Sequence, residues 1–322
     1  SEMLGELNAS HTGCRFNAPQ GTGDATASLG LLFDPAPGTG LKVTEILKRG
    51  PLDLATSRVK PGHILVAIDG MEIRADQDPS ALLNRKAGHA TLLTFQDAQG
   101  NRWEESIKPI AAGQENVLLY RRWVERQQAE TERLSGGRIG YVHVQGMNDP
   151  SMRTVVEEVL GKHLTKEAIV VDTRFNGGGN LHETLSDFLS GKKYFDIIPH
   201  GQYYGYEPQQ KWIKPSIVVM GEGNYSDAHL FPVAYKLKGL GQTVGMPVPG
   251  TGTFVWWEPQ IDPTLVFGIP EGGWLTPDGK FCENTQLEPD IKVANDPALL
   301  SQGRDTQLET AVQSLLKQLK KP

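Results

Sequence analysis

The stretch Ile169-Val-Val-Asp-Thr-Arg-Phe-Asn-Gly-Gly-Gly-Asn180 carries an apolar run straight into three glycines. Ser216 to Met220 repeats the plan and ends in Gly221-Glu-Gly-Asn-Tyr-Ser-Asp227. Short unbroken apolar runs bounded by glycine read as strands buried on both faces, the kind found in parallel sheets covered by helices. The surrounding texture agrees. Strands over Ile139–Val144, Ala168–Asp172, Ser216–Met220 and Thr243–Val248 alternate with helices over Met152–Leu160, Leu181–Leu189 and Leu230–Leu237. The fold class is therefore α/β, with a layered and largely parallel sheet. Pro232 fits a helix only in its first turn or at a kink, so that helix is expected to start near His229. A closing amphipathic helix is expected over Ser301–Lys321, with Leu308, Val312, Leu315, Leu316 and Leu319 at helical spacing.

A chain of 322 residues predicts about two domains. Hydrophobic residues at 38% and charged residues at 22% supply a core and a solvated surface. A net charge of -6 argues against nucleic acid as the main partner, because phosphate binding wants a basic surface. No apolar run approaches the roughly 20 residues of a membrane span. Nothing at the amino end reads as a signal peptide, and the abrupt start on Ser1-Glu-Met-Leu is that expected of a piece of a longer protein. Two cysteines, Cys14 and Cys282, are too few for a disulfide framework or a zinc site.

Five regions follow in order. Residues 1–24 are a strand-and-loop lead-in, and 25–110 a small β-rich domain. A helical linker over 111–136 leads into the α/β core at 137–300, and 301–322 hold the closing helix. In the β-rich domain Leu29–Phe33 and Leu41–Leu47 are strand candidates around a turn at Pro35–Gly40. Leu52–Ser57 and Asp78–Arg85 read as short helices, Asp69-Gly70 as a hairpin turn, and Ala90–Phe95 with Arg102–Ile107 as a pair. Gln114–Leu134 is helical in composition, with Tyr120, Trp123 and Leu134 on its buried face and Gly136-Gly137 as its stop.

The two strand ends carry the chemistry. Ser226, on a strand-to-helix turn, sits where open α/β sheets place their ligands. A serine hydroxyl is inert at neutral pH without a base, and a Tyr-Ser-Asp turn taken alone reads more naturally as a helix cap. Gly177, Gly178 and Gly179 expose backbone N–H groups that suit a phosphate or a developing oxyanion. No Lys-Ser/Thr follows them and no Gly-x-Gly-x-x-Gly spacing is present, which removes the P-loop and dinucleotide readings. An oxyanion hole beside a nucleophile is the better account. Arg174 is expected to brace the turn through a carboxylate such as Asp172. The base must come from eight histidines, His11, His63, His89, His143, His163, His182, His200 and His229, and spacing alone leaves the choice open. His229, close to Ser226 in sequence, would lie a helical turn down and poorly aligned.

Residues 25–110 resemble a PDZ domain of the bacterial peptidase-associated kind, most clearly in Lys60-Pro-Gly-His-Ile-Leu-Val-Ala-Ile-Asp-Gly70 after Gly50-Pro51. Such domains bind extended peptide ends by strand addition. Gly137-Arg-Ile-Gly-Tyr-Val-His-Val144, Val171-Asp-Thr-Arg-Phe-Asn-Gly-Gly-Gly179, Tyr225-Ser-Asp-Ala-His-Leu-Phe-Pro232 and Cys282-Glu-Asn-Thr-Gln-Leu-Glu-Pro-Asp-Ile291 resemble the tricorn branch of the tail-specific serine peptidases, family S41. Ser10-His11, ahead of the PDZ-like region, matches that branch too.

The resemblance implies a ClpP/crotonase-like layered core with an inserted PDZ domain, and a serine-type endopeptidase acting on peptides. It implies Ser226 as nucleophile, His11 as general base, and Glu283 acting on the histidine side through Ser10. The oxyanion hole it implies uses the N–H of Asp227 and of Gly179 or Gly178. Asp196 is the nearest match to an aspartate that favours basic substrate residues. The tail-specific branch proper, unlike the tricorn branch, uses a lysine base after the serine; Lys236 and Lys238 are the nearby candidates, and Ser10-His11 argues against that version. No metal or cofactor is implied, and a homo-oligomer is.

Cys14 follows His11 by three residues and Cys282 precedes Glu283, so a shared site would bring both sulfurs near disulfide geometry. Such a bond would favour a periplasm over the cytosol, the compartment being otherwise open. Two other classes stand beside the peptidase: a non-catalytic binder of peptides or apolar ligands, and a crotonase-like acyl-CoA enzyme.

Overall fold

The structure, a computed structural model, describes residues 2–17, 23–35, 40–74 and 78–320. The chain divides into two units, one of Ser1–Pro19 with Gln127–Pro322 and one of Gln20–Arg126. The lead-in's junction at residues 18–22 and the interior of the expected turn, residues 36–39, lie outside the described residues.

The first unit is built on two sheets. Their strands are β1 (Gly13–Phe16), β2 (Ile139–His143), β3 (Ala168–Asp172), β4 (Ser216–Met220), β5 (Gly241–Gly245), β6 (Thr253–Pro259), β7 (Leu265–Gly273) and β8 (Ile291–Lys292). Its helices are the last part, from Gln127, of α1 (Ala112–Ser135), then α2 (Asp149–Glu157), α3 (His182–Phe188), α4 (Asp227–Leu237) and α5 (Thr306–Leu319). The larger sheet runs in the order β2-β3-β4-β5-β8, parallel throughout. Every residue of β3 and β4 is buried, as their unbroken apolar runs require. On one face Val142, Ile169, Val171, Val218 and Met220 pack with Leu185 and Phe188 of α3 and Ala228, Phe231 and Tyr235 of α4. On another, α5 lies against β3, β4 and β5 and buries Leu308, Val312 and Leu315. Each fully buried aliphatic side chain of this kind contributes about 1.5–3 kcal/mol.

Three elements of this unit differ from the sequence reading. Helix α4 starts at Asp227 and contains Pro232. A proline here removes the N–H that would bond the Ala228 carbonyl, and Asn224 Nδ2 donates to that oxygen instead, at 3.1 Å. The closing helix starts only at Thr306, because the Asp305 carboxylate caps it through Leu308 N–H, and Pro297–Ser301 forms a separate turn of helix. The sheet β1-β7-β6, antiparallel, was not anticipated, although Thr253-Phe-Val-Trp-Trp257 has strand composition.

The expected disulfide is absent. Cys14 is exposed and Cys282 buried, and both thiols are free. Cys14 stands on β1 opposite Phe267, whereas Cys282 packs against Gly252, where a side chain would collide with it. The inference of an oxidising compartment loses its support. No helix among the described residues is long and apolar enough to cross a membrane.

The second unit is β-rich. Leu31–Pro35, Leu41–Ile46, Ile64–Ile68, Thr91–Gln96 and Arg102–Ile107 form an antiparallel sheet in that order. Asp69 and Gly70, both with positive φ, turn the chain from Ile64–Ile68 into Met71–Glu72. Val43, Leu52, Leu65, Ile68, Leu93 and Phe95 form its core. Pro79–Leu83 is a short 3-10 helix capped by Asp78. Leu52–Ser57 makes turns rather than the expected helix, since Asp53 bonds back to Arg49 N–H and a stretch this short cannot nucleate.

Candidate active site

The loop after β4 delivers Ser226 to the first cap of α4 with φ 56° and ψ −124°. Positive φ is strained for a residue with a side chain and persists only where neighbours enforce it. Here they do. Ser226 N–H donates to Thr251 Oγ1 at 2.8 Å, Tyr225 N–H to the Asn176 carbonyl at 3.0 Å, and Asn224 Nδ2 to Thr173 Oγ1 at 2.9 Å. The turn therefore holds its serine side chain outward, half-buried, where its Oγ lies 2.8 Å from His11 Nε2.

His11 precedes β1, whose pairing with β7 from Gly13↔Gly268 onward carries the lead-in onto the sheet. Its backbone N–H donates to Tyr225 Oη at 2.8 Å, and its ring lies 4.9 Å from the tyrosine ring. On the other side of the imidazole, Nδ1 lies 3.0 Å from Ser10 Oγ and 2.9 Å from Thr253 Oγ1. Glu283 receives Ser10 twice, its N–H at 2.6 Å and its O–H at 2.7 Å. Because the Ser10 proton points to the carboxylate, its oxygen meets His11 as an acceptor. That places the imidazole proton on Nδ1 and leaves the Nε2 lone pair facing Ser226. Burial lowers the His11 pKa below its ordinary value of 6.5; Glu283 opposes that shift and Arg15 adds to it.

The glycine run closes the other side. Arg174 braces it as expected, bonding Asp172 at 2.6 Å and Asp305 at 2.8 Å in the interior. Gly178 N–H is engaged by Asn176 Oδ1 at 2.9 Å. Gly179 and Asp227 N–H donate to no acceptor among the described residues, and both residues line the cleft at Ser226. Of the two glycines expected to supply a donor, Gly179 is thus the one with a donor to offer. Neither position tolerates a side chain. A Cβ on Gly178 would stand 2.6 Å from Ser226 Cβ, and one on Gly179 would stand 2.0 Å from the Met147 carbonyl oxygen.

Asp227 does more than carry a backbone donor. Its buried carboxylate accepts Leu181 N–H at 2.5 Å, His182 N–H at 3.0 Å and His182 Nδ1 at 2.5 Å. Helix α3 has no capping side chain of its own, so α4 caps it through Asp227 and ties the glycine run to Ser226. His229 lies within α4, buried, with Nδ1 accepting Thr251 N–H at 3.3 Å and its pKa pushed down to about 4 by burial. It supports the turn from below.

Other expected residues stand apart. Asp196, in the hairpin Phe195–Ile197/Gly205–Glu207, bonds Lys193 at 2.9 Å and does not line the cleft. Lys236 bonds Asp290 and Lys238 bonds Asp187, and neither lines the cleft at Ser226. Sequence reasoning missed Thr251, Thr253, Asn176 and the Asp227 carboxylate. Only Asp227 had a local signal, as an acid in the first turn of a helix. The cleft itself measures about 630 Å³ and is walled by Tyr225, Leu230, Phe254, Trp257 and Trp274.

Residues 138–293 match the profile of peptidase family S41. The chain is 27% identical over 320 residues to tricorn protease homolog 1 of Streptomyces coelicolor, covering 97% of this chain and 30% of that protein. It is 28% identical over 337 residues to the tricorn protease homolog of Saccharolobus solfataricus, covering 99% and 30%. A crystal structure of the tricorn protease superposes with a TM-score of 0.86 at 21% identity, over 99% of this chain and 32% of that one. That likeness is one of fold. The chain spans about a third of the length of the relatives it matches.

Proposed function

This chain is a tricorn-type member of peptidase family S41, and from that membership we propose that it cleaves peptides or unfolded polypeptide as a serine endopeptidase. The carrying observation is the unbroken line Ser226 Oγ, His11 Nε2, His11 Nδ1, Ser10 Oγ, Glu283, with contacts of 2.8, 3.0 and 2.7 Å. In this reading His11 Nε2 takes the Ser226 proton as Oγ attacks the scissile carbonyl carbon. Charge developing on the carbonyl oxygen is met by the N–H groups of Gly179 and Asp227. The imidazolium is stabilised through its Nδ1–H by Ser10, whose own O–H remains bonded to the Glu283 carboxylate, while Thr253 Oγ1 offers a second acceptor. His11 then protonates the leaving amine, and a water activated by the same nitrogen hydrolyses the acyl-enzyme.

The sheet and its covering helices are read as a ClpP/crotonase-like core, and the β-rich unit as a PDZ-like domain that binds extended peptide by strand addition. Substrates are peptides, and the working form is a homo-oligomer, as the tricorn resemblance implies. A carrier of apolar ligands or an acyl-CoA enzyme has no use for a serine held at 2.8 Å from an imidazole.

Labelling of the full chain with a fluorophosphonate probe tests the proposal. Stoichiometric modification at Ser226, lost in Ser226→Ala and His11→Ala, is the expected result. Absence of labelling in folded, assembled protein would sink it.

A further inference from the structure

Among the described residues, one charged side chain of the cleft has no ion-pair partner. Asp227 has its carboxylate engaged by Leu181 and His182, and His11 belongs to the line to Glu283. Arg15, on β1, also lines the cleft, and no carboxylate pairs with it among the described residues. Its guanidinium carbon sits 3.8 Å above the centroid of the Trp257 ring.

That platform is built into the sheet. Gly13 of β1 and Gly268 of β7 are register partners, and Gly268 also pairs with Trp257 of β6. A Cβ on Gly268 would stand 2.7 Å from the indole, and one on Gly13 would stand 3.6 Å from it. The two absent side chains leave a flat place for the indole to lie across the strands. A guanidinium seated over an aromatic ring at this distance leaves N–H groups at its edge for other partners. In that orientation it offers the fork that a carboxylate accepts with two parallel hydrogen bonds. The influence of Arg15 on the His11 pKa places its charge within electrostatic reach of the reacting groups.

We propose that Arg15, seated on Trp257, selects substrates that present a carboxylate close to the scissile bond, with apolar neighbours received by Phe254, Val255 and Trp274. The inference rests on the peptidase reading of the cleft and adds a substrate class to it: acidic peptides rather than the basic ones that Asp196 suggested.

The test uses internally quenched peptides that differ only in Glu or Gln at each position beside the scissile bond, each with a free or an amidated carboxyl end. The full chain is expected to favour the carboxylate-bearing peptide in kcat/KM by roughly tenfold, less at high salt. Arg15→Gln should bring that ratio to about one, Arg15→Lys should retain part of it, and Arg15→Glu should invert it towards Lys-containing peptides. An Arg15-dependent preference for Glu over Gln assigns the carboxylate to a side chain; one for the free over the amidated peptide assigns it to the chain end. An unchanged ratio in Arg15→Gln overturns the inference.

Anisotropy of labelled Glu and Gln peptides on Ser226→Ala, with and without Arg15→Gln, reads recognition apart from cleavage. If wild type cleaves nothing yet Arg15-dependent binding of the acidic peptide persists, the peptidase reading falls and the recognition stands. Equal binding to Ser226→Ala of Glu and Gln peptides, and of free and amidated ones, overturns the recognition.

Discussion

Replacing Asp227 by alanine separates its side chain from its backbone. The N–H proposed for the oxyanion stays, and three accepted hydrogen bonds go, from Leu181 N–H, His182 N–H and His182 Nδ1. Leu181 is 6% exposed, so its N–H would be left in the interior with no ready solvent partner. Losing a cap costs about 0.5–2 kcal/mol, and stranding a buried donor about 1–3 kcal/mol; the two overlap here because they concern the same groups. We expect Asp227→Ala to lower stability by about 2–3 kcal/mol in denaturant melts.

The catalytic effect should be larger than that figure suggests. Leu181 follows Gly179 by two residues, so slack at the start of α3 is passed to the donor at Gly179. Complete loss of one such donor costs about 10²–10³ in kcat, and misplacement should cost roughly 10–100-fold with KM changed much less. Asp227→Asn keeps one accepting oxygen and should fall between, whereas His182→Ala leaves both backbone bonds and should lose under about 1 kcal/mol. Paired melts and steady-state kinetics on assembled protein decide the matter. Wild-type kcat in an Asp227→Ala protein that has lost stability would refute the idea that this carboxylate couples the two halves of the site.

Three further outcomes follow from the same geometry. With the His11 pKa held below 6.5 by burial, the acid limb of kcat/KM should lie below pH 6.5; Arg15→Gln should move it up and Glu283→Gln down, and a wild-type limb above 6.5 contradicts the assignment of base. His229, buried neutral with a pKa of about 4, binds its proton more readily in the unfolded chain, so stability intact above pH 6.5 should decline by about 3 kcal/mol as pH falls to 4. Denaturant midpoints at both ends of that range, with His229→Asn flattening the slope, are the check. Gly178→Ala, with φ 99° and a Cβ 2.6 Å from Ser226 Cβ, should lose about 2 kcal/mol of stability and roughly 100-fold in fluorophosphonate labelling rate, and unchanged labelling would count against the close approach.

The parallel sheet was legible because β3 and β4 are buried on both faces, which leaves an unbroken apolar run that no half-exposed strand shows. The placement of Ser226 on a turn followed from the same runs. The histidine beside it was not legible from the residues, since His11 reaches the site through the pairing of β1 with β7, and a four-residue strand carries too little pattern to announce a partner some 250 residues away. Composition also hid the start of α4. Pro232 argued for a later beginning, and only the position of Asn224 beneath Ala228 shows why the helix tolerates it. The choice between Gly178 and Gly179 turns on one side-chain amide, that of Asn176, which no backbone pattern encodes. Proximity to a shared site misled for Cys14 and Cys282, whose surroundings direct one thiol outward and the other beneath Gly252.

Strand β1 gives the molecule a property that the parallel sheet could not. Its four residues, three of them exposed, fasten the histidine to a framework whose core contains none of them. Short, solvent-exposed pairings open at free energies well below that of global unfolding. If His11 is the base proposed above, loss of competence and loss of shape are two separate events in this chain. The serine, the glycines and the aromatic walls can persist as a finished mould while His11 is away, and the return of a few backbone hydrogen bonds restores the set.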